Sequence, residues 1–249
     1  MPTNPRWKAQ LFTPLHTLVS LLLFVECSVL LGLAAWPGVL LWQRVEAALP
    51  PVGVLRVPAL CIAAVAGYFV SGLALLLVVP VARWVLFATG TPLGRFPYLS
   101  WGAYRWASYN ALTLLVRFSF VNWIRVTPFL PLFHRLMGMK VGRRVQFNTA
   151  VVADQNLIEV GDDTVVGGDV TLVCHAAESG ALLTAPTRIG KRVTLGIMAV
   201  ILPGCTIGDD AVVAAGAIVT KGTVIEPGEI WAGIPARCVG RRSHLPLPE

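Results

Sequence analysis

The sequence predicts a mixed fold in which apolar N-terminal α-helices precede a C-terminal parallel β-helix. Two long apolar segments lie in the first hundred residues, and a stretch rich in arginine and aromatic residues follows them. The last hundred residues carry aliphatic side chains at a six-residue period. Of the 249 residues, 55% are hydrophobic and 13% are charged, about half the charged fraction of a typical soluble domain.

The chain changes character near residue 140. Glu26 and Glu46 are the only acidic residues before Asp154, and all the others follow it. We therefore predict a transmembrane region over residues 1–99, interfacial amphipathic helices over 100–139, a β-helix domain over 140–240 and a tail over 241–249.

Residues 17–36 and 57–81 are each long enough to cross a bilayer, for which a helix needs about 20 apolar residues. A cleaved signal peptide is the alternative for the first segment, but its length and the second apolar segment favour a retained span. Basic residues flank both spans, so both ends are expected on the cytoplasmic side. These features predict a multi-pass protein of the inner or plasma membrane with a cytoplasmic C-terminal domain. For Glu26, a functional role and a structural pairing, for example with His16, both remain open.

A cationic stretch with no acidic residue lies between the spans and the repeats. Its members are Arg83, Arg95, Arg105, Arg117, Arg125, Arg135, Lys140, Arg143 and Arg144. Such charge attracts anionic lipid headgroups, and no nucleic-acid-binding motif accompanies it. Interleaved aromatic and arginine residues over 100–139 favour helices lying at the membrane interface; ordinary surface helices of the C-terminal domain are the alternative.

The six-residue period is the strongest pattern in the chain. It runs through Ile189, Leu195, Ile201, Ile207, Val213, Val219 and Ile225, and Trp231 keeps the same step. An earlier block around residues 141–172 repeats it, with one extra residue that shifts the phase. Each hexapeptide predicts one short strand and a turn, and three of them form a triangular coil whose aliphatic residues stack about 4.8 Å apart. Several coils must stack to bury a core.

These repeats resemble the hexapeptide-repeat acyltransferase family. The stretch TPFLPLFHRLMGMKVGRRV and the later HAAESG, TRIG, TKG and WAGIPA resemble colanic-acid-type acetyltransferases and the membrane-associated C-terminal region of polylysine-synthetase-like peptide synthetases. The resemblance implies a left-handed coil, acetyl-CoA or another acyl-CoA as co-substrate, and a homotrimer. The chain lacks the adenylation and carrier modules of such synthetases, so their amino-acid chemistry is not expected.

The repeat is interrupted between Val173 and Arg188, which predicts a loop that leaves the coil. His175 begins this loop and is the only one of four histidines within the repeats. The resemblance implies that His175 is the general base, since a near-neutral imidazole can deprotonate an attacking hydroxyl or amine. A solvent-exposed loop histidine is the alternative.

Other candidate residues surround this loop. Glu178 could orient His175, as the acid of a triad does, or be a solvated acid, and Ala176 stands where many sugar acetyltransferases have an acid. Backbone amides near Gly196 are candidate oxyanion donors. Cys174 is disfavoured as a nucleophile because neighbours on a strand face opposite sides.

The resemblance places the acyl-CoA arm along Gly196, Ala214 and Ala215, where small side chains leave room. Lys221 and Arg237 are candidate contacts for the CoA phosphates, or simple surface charges. No metal site is predicted, because a β-helix carbonic anhydrase needs several histidines from different coils. The five cysteines have no CxxC spacing and are expected to be free, mostly buried thiols.

Together these features predict a membrane-anchored acyltransferase that acts on a hydroxyl or amine of a lipid-linked or hydrophobic acceptor. Membrane lipids and a small-molecule or lipid-linked acceptor are the expected partners. A non-catalytic β-helix scaffold and a transferase that uses a carrier-protein thioester are the alternatives.

Overall fold

The computed structural model describes residues 6–85 and 89–242. The parts of the predicted domains at residues 1–5, 86–88 and 243–249, including most of the tail, lie outside the described residues. The helices are α1 (Arg6–Ala48), α2 (Arg56–Val85), α3 (Trp101–Val116), α4 (Asn122–Ile124) and α5 (Phe129–Leu136), with a π-helical turn at Arg117–Val121 and a 3-10 turn at Gln155–Leu157.

The two predicted spans lie within α1 and α2, but both helices extend beyond the predicted limits 17–36 and 57–81. The segments His16–Ala48 and Arg56–Val85 are each long and apolar enough to cross a membrane. Helices α1 and α2 approach closely at two glycines, since a Cβ added to Gly38 would overlap the carbonyl oxygen of Gly67. Most large apolar side chains of the two helices point away from the protein and are exposed.

Arg83, predicted to mark the end of the second span, is buried instead. Its Nη1 donates to the carbonyl oxygen of Met137 at 2.7 Å. Tyr109 donates to the same oxygen at 2.6 Å. Arg83 therefore ties the end of α2 to the end of α5, where carbonyl groups lack helical partners, and is not a solvated flanking charge.

Helices α3 and α5 occupy the region predicted to be interfacial. One side is buried, with Tyr109 and Leu112 of α3 and Phe133 of α5 almost inaccessible, whereas Trp101 and Phe118 are exposed. A single hydrophobic core runs from Leu30 in α1 to Ala236 near the C-terminal end of the described chain. The composition boundary near residue 140 thus separates two kinds of secondary structure but not two cores.

Seventeen strands are present in the described residues. They are β1 (Gly94–Pro97), β2 (Lys140–Val141), β3 (Gln146–Phe147), β4 (Ile158–Val160), β5 (Val165–Val166), β6 (Thr171–Leu172), β7 (His175–Glu178), β8 (Ala181–Thr184), β9 (Thr187–Ile189), β10 (Thr194–Leu195), β11 (Val200–Ile201), β12 (Thr206–Ile207), β13 (Val212–Val213), β14 (Ile218–Val219), β15 (Val224–Ile225), β16 (Glu229–Gly233) and β17 (Ala236–Arg241).

The predicted β-helix is confirmed. Its three parallel faces have the strand orders β16-β13-β10-β5-β3, β14-β11-β6 and β15-β12-β9-β4-β2, and β17 adds antiparallel to β16 at the end of the first face. The register gives the coil length, because Leu195 pairs with Val213, the equivalent position three hexapeptides later. In the first coil Phe147 pairs with Val166, which is one position further along than three hexapeptides, so the extra residue predicted there is present.

The inward side of the coil is filled as the period predicts. From Ile189 to Ile225, every aliphatic residue of the repeat is at most 3% exposed. The small fifth residues, such as Ala199 and Cys205, are wholly buried beside them. Stacking of each aliphatic side chain on its equivalents in neighbouring coils removes it from water, and this burial stabilises the β-helix.

Strand β1 connects the helical half to the hairpin of β7 and β8. Residues 94–97 fall within the region predicted to be transmembrane, yet β1 pairs antiparallel with β8, and β8 pairs with β7. The helical half therefore contributes a strand to a small sheet that projects from the β-helix. In α1, one carboxylate oxygen of Glu26, Oε1, is buried without a hydrogen-bond partner in the described residues, and both a functional role and a structural pairing of this residue stay predictions.

His134 of α5 makes the stability of this junction depend on pH. The imidazole is buried against Phe133 and Phe147, and neither ring nitrogen has a hydrogen-bond partner in the described part of the chain. Burial lowers the pKa of His134 from 6.5 to about 3. Below pH 6.5 the unfolded chain binds a proton on His134, whereas the folded protein does not bind it until the pH approaches 3. The unfolding free energy is therefore highest above pH 6.5 and decreases as the pH falls below that value.

We predict that between pH 7.5 and pH 5.0 the wild-type protein loses about 2 kcal/mol more unfolding free energy than His134→Leu, because only the wild type must bury this group unprotonated. Denaturant unfolding of both proteins in the same detergent at the two pH values measures this. Titrations common to both proteins cancel in the comparison, and an equal loss in both would contradict the assignment.

Candidate active site

The predicted loop after Leu172 is a β-hairpin, formed by β7 and β8, that leaves the coil. Val166 and Leu195 are paired in neighbouring coils, as are Leu195 and Val213. Three hexapeptides join the second pair, whereas the chain between the first pair is longer by more than half a coil. The hairpin accounts for this extra length, and β9 resumes the parallel register after it. Both ends of the hairpin continue into the β-helix, so the hairpin is held on a rigid support.

His175 begins this hairpin and contacts a carboxylate that is distant in sequence. Its Nδ1 lies 2.6 Å from Oδ2 of Asp154, whose side chain is fully buried, while the His175 side chain is 25% exposed. Asp154 lies in the coil before the hairpin and adopts a left-handed backbone conformation (φ 57°), which aspartate tolerates better than most residues. The imidazole is therefore anchored on one edge and accessible on the other.

Three further groups satisfy the Asp154 carboxylate. Oδ1 accepts from the hydroxyl of Thr91 at 2.7 Å and from the amide of Asn110 at 3.3 Å. Oδ2 also accepts from the backbone nitrogen of Cys174 at 3.0 Å. Thr91 and Asn110 belong to the helical half, so both halves of the chain build this site.

These contacts determine the charge of Asp154. Burial would raise its pKa, but the contact with His175 and the hydrogen bonds from Thr91 and Asn110 outweigh it and hold the pKa below its usual value. The carboxylate is therefore ionised at neutral pH and can only accept hydrogen bonds. It follows that Nδ1 of His175 carries a proton, and that Nε2 is the nitrogen of the neutral ring that can accept one.

Trp106 of α3 forms a second contact to the imidazole. The two rings meet edge to face, with centroids 4.9 Å apart. The indole Nε1 is buried and has no hydrogen-bond partner among the described residues. Trp106 restricts the tilt of the His175 ring, so Asp154 and Trp106 together fix its position.

Glu178 does not contact His175, which corrects its suggested role as the orienting acid. It forms an ion pair with Lys221. Glu178 and His175 lie three positions apart on β7, and residues at that spacing point to opposite faces of a strand. The acid that contacts the imidazole is Asp154, while the ion pair of Glu178 and Lys221 ties the end of β7 to a later coil.

Cys174 lies in a setting that does not favour a nucleophilic thiol. Its thiol is fully buried, and burial raises its pKa to about 12, so it is not ionised at neutral pH. All five cysteines are free, but only Cys174 and Cys205 are buried, so the expectation that most of them are buried is wrong.

Sequence reasoning missed Asp154, and one signal could have indicated it. The polar triplet Asp154-Gln155-Asn156 interrupts the aliphatic pattern where the coil has its extra residue. Thr91, Trp106 and Asn110 gave no comparable signal, because they approach His175 only when the helical half docks on the β-helix.

Comparisons with known proteins agree with this architecture. The family described as bacterial transferase hexapeptide (six repeats) matches residues 186–221. The putative acetyltransferase YvoF of Bacillus subtilis (strain 168) is 31% identical over 141 residues, which cover 54% of this chain and 81% of that protein. This chain belongs to the hexapeptide-repeat transferase family. The resemblance seen in the sequence is therefore confirmed.

Two further similarities were found. Delta-poly-L-ornithine synthetase of Acinetobacter baumannii (strain AB307-0294) is 26% identical over 171 residues, which cover 66% of this chain; the chain spans 12% of that protein's length. Among solved structures, a galactoside acetyltransferase in complex with coenzyme A aligns with 59% of this chain and 86% of its own, at 22% identity and a TM-score of 0.46.

Three of the residues expected to contact the CoA arm, Gly196, Ala214 and Ala215, lie against one another on adjacent coils. The Gly196 amide donates to the Val213 carbonyl at 2.7 Å, so it is committed to the coil and is not an oxyanion donor. A Cβ at Gly196 would overlap the backbone nitrogen of Ala215. The small residues Gly196, Ala214 and Ala215 thus allow adjacent coils to approach, and Ala215 also remains exposed.

The two basic candidates differ in their surroundings. Lys221 is paired with Glu178, as described above, whereas Arg237 is exposed on β17 and donates to the Ala236 carbonyl at 2.9 Å. Within residues 6–85 and 89–242, no cluster of three or more histidine, cysteine, aspartate or glutamate residues is arranged to hold a metal ion.

We predict that neutral His175 carries its proton on Nδ1, because ionised Asp154 accepts from that nitrogen. The ¹⁵N chemical shifts of the imidazole nitrogens, recorded in labelled protein at mildly alkaline pH and assigned by their loss in His175→Gln, report the tautomer. Glu178→Gln serves as the control and should leave both shifts unchanged. A proton on Nε2 in the wild type would contradict the proposed geometry.

Proposed function

We propose that this protein is an acyltransferase that moves an acyl group from a CoA thioester to a hydroxyl or amine of a hydrophobic or lipid-linked acceptor at a membrane surface. His175 is the general base and Asp154 is its positioning residue. The observation that carries this proposal is the contact of His175 Nδ1 with a fully buried, ionised carboxylate at 2.6 Å. Membership of the hexapeptide-repeat transferase family supports the reaction class.

The chemical step follows from the tautomer. Nε2 of His175 accepts the proton of the acceptor hydroxyl or amine as the acceptor oxygen or nitrogen bonds to the thioester carbonyl carbon. The carbon–sulfur bond then breaks, and the thiolate takes the proton back from Nε2, which yields the acylated acceptor and free thiol. Asp154 stabilises the imidazolium between these two proton transfers, as the acid of a catalytic triad does.

The membrane location is part of this proposal. Helices α1 and α2 are long enough to cross a bilayer and expose apolar side chains over most of their length. An exposed apolar surface of this extent is unfavourable in water and typical of a membrane contact. With both ends of the spans on the cytoplasmic side, the β-helix and His175 lie in the cytoplasm next to the inner leaflet. A site held there favours acceptors that are themselves anchored in the membrane.

Donor binding and assembly are inferred from the family resemblance. The donor arm would run along the exposed edge at Ala215, with Arg237 available to a phosphate group, since guanidinium suits phosphate. Lys221 is less available because Glu178 neutralises it. A homotrimer with sites between subunits remains a prediction.

The first test measures transfer of a labelled acetyl group from acetyl-CoA to molecules of a membrane lipid extract by the purified protein. His175→Ala should reduce the transfer rate by about 10²- to 10⁴-fold, because general base catalysis contributes that much. Unchanged thermal unfolding of the variant is the control for folding. Equal rates for the two proteins would remove His175 from the mechanism, and the labelled product identifies the acceptor.

A second test separates the two acids near the hairpin. Asp154→Asn keeps the shape of the side chain but removes its charge and replaces one accepting oxygen with an amide NH2, which can only donate. We therefore expect kcat to fall about 10- to 100-fold with KM little changed, and unchanged thermal unfolding is the control for folding. Glu178→Gln, three residues from His175, should leave kcat within about twofold if it only ties the hairpin to Lys221. The opposite pattern would assign the orienting role to Glu178.

A further inference from the structure

An apolar cavity of about 600 Å³ lies next to the proposed site, between α1, α3 and the hairpin. Val19 and Leu23 of α1 form one wall, Ala103 and Ala107 of α3 another, and Leu182 of β8 contributes from the hairpin. The volume falls within the range of about 300–1,000 Å³ that is typical of small-molecule sites.

The cavity shares its wall with the His175 site. Trp106 lines the cavity and also contacts the His175 ring. Leu182 pairs with Ala177 on β7, the strand that carries His175 at its first position. The Trp106 side chain therefore stands between a molecule in the cavity and the imidazole.

The chemistry of the lining favours a hydrocarbon chain over a sugar. Most of the lining is aliphatic or aromatic. Of its hydroxyl groups, Ser20 donates to the His16 carbonyl and Ser100 accepts from the Ala103 amide at the start of α3. These two serines are already engaged by helix backbone. The other polar groups of the lining, His16, the hydroxyls of Tyr98 and Tyr104 and the indole of Trp106, are few beside its apolar side chains.

The position of the cavity relative to the apolar helices points to the same ligand. Its α1 wall belongs to the segment His16–Ala48, which is long enough to cross a membrane. Tyr98, Leu99 and Trp101 line the cavity and are 43%, 44% and 64% exposed, and aromatic residues of this kind are frequent at the membrane interface. A chain that leaves the bilayer would meet this opening first.

We infer that this cavity binds a hydrocarbon chain carried by a substrate of His175. The inference rests on the proposed function, because it assigns the chain to the molecule that reacts there. The chain is either the apolar tail of the acceptor or a long acyl group of the donor thioester. Both have the same chemistry, and the experiment separates them.

The variants fill the cavity from two independent walls. Ala107→Phe places a ring in the cavity from α3, and its matched control is Ala111→Phe, one turn later on α3 and outside the lining. Leu23→Trp fills the cavity from α1, with Leu21→Trp, an exposed neighbour outside the lining, as its control. The α1 pair keeps the test available if a substitution on α3 prevents folding.

Binding is measured without turnover. A dodecanol that carries a diazirine is photolysed with each protein in nanodiscs, and cross-linked peptides from the segments around residues 98–107 and 182 are quantified, with unlabelled dodecanol as competitor. Wild type and both controls should show competable labelling, and the two filled variants should lose most of it. Equal labelling in all five proteins would overturn the inference.

Turnover then identifies the source of the chain. Two series of substrates are assayed with the wild type, one of acceptors and one of donors with increasing chain length. In one of them we expect kcat/KM to rise by roughly fourfold for each added methylene, because that is the factor for burial of one methylene group. A rise along n-alkanol or n-alkylamine acceptors with acetyl-CoA assigns the chain to the acceptor, and a rise along acyl-CoA donors assigns it to the donor. A flat response in both series, with transfer present, would overturn the inference. Competable labelling without any transfer would instead refute the proposed function and leave the cavity as a chain-binding site.

Discussion

The burial of one negative charge, the carboxylate of Asp154, constrains the rest of this structure. An isolated ionised carboxylate in a protein interior is very costly, so it requires several donors close by. Here the donors come from Thr91 before α3, Asn110 on α3, and Cys174 and His175 at the start of the hairpin. Three segments must be in place before the charge is satisfied, which couples docking of the helical half to completion of the β-helix.

The same coupling explains why the chain has one continuous core. Arg83 and Tyr109 both bind the Met137 carbonyl, and β1 extends the hairpin sheet from the helical side. The first two contacts fasten α2 and α3 to the end of α5, just before the repeats, and the third joins the helical half to the hairpin. The helical half therefore supplies part of the wall and part of the hydrogen bonding around His175.

How much could be read from the sequence depends on the range of the interactions. The β-helix could be predicted because each coil contacts its neighbours through one periodic pattern, which fixed the inward positions from Ile189 to Ile225 and the departure of the chain after Leu172. His175 became a candidate because it stands where that pattern stops and because the family resemblance implies a general base there. Asp154 and Trp106 reach His175 from an earlier coil and from α3, and no periodicity encodes contacts between such distant parts of the chain. For Glu178 the family resemblance left an orienting role and a solvated acid both open, and the direction of its side chain could not be predicted until the strand β7 was known, because a strand turns residues three positions apart to opposite faces.

The hairpin also bears on how such a protein can diversify. The coil leaves its register at Leu172 and recovers it at β9, with the same parallel pairing to the coils on either side. The length and composition of the excursion are consequently free of the six-residue stacking rule. Mutation there can reshape what lies opposite His175 while the scaffold retains its geometry, so the hairpin separates the evolution of specificity from the maintenance of stability.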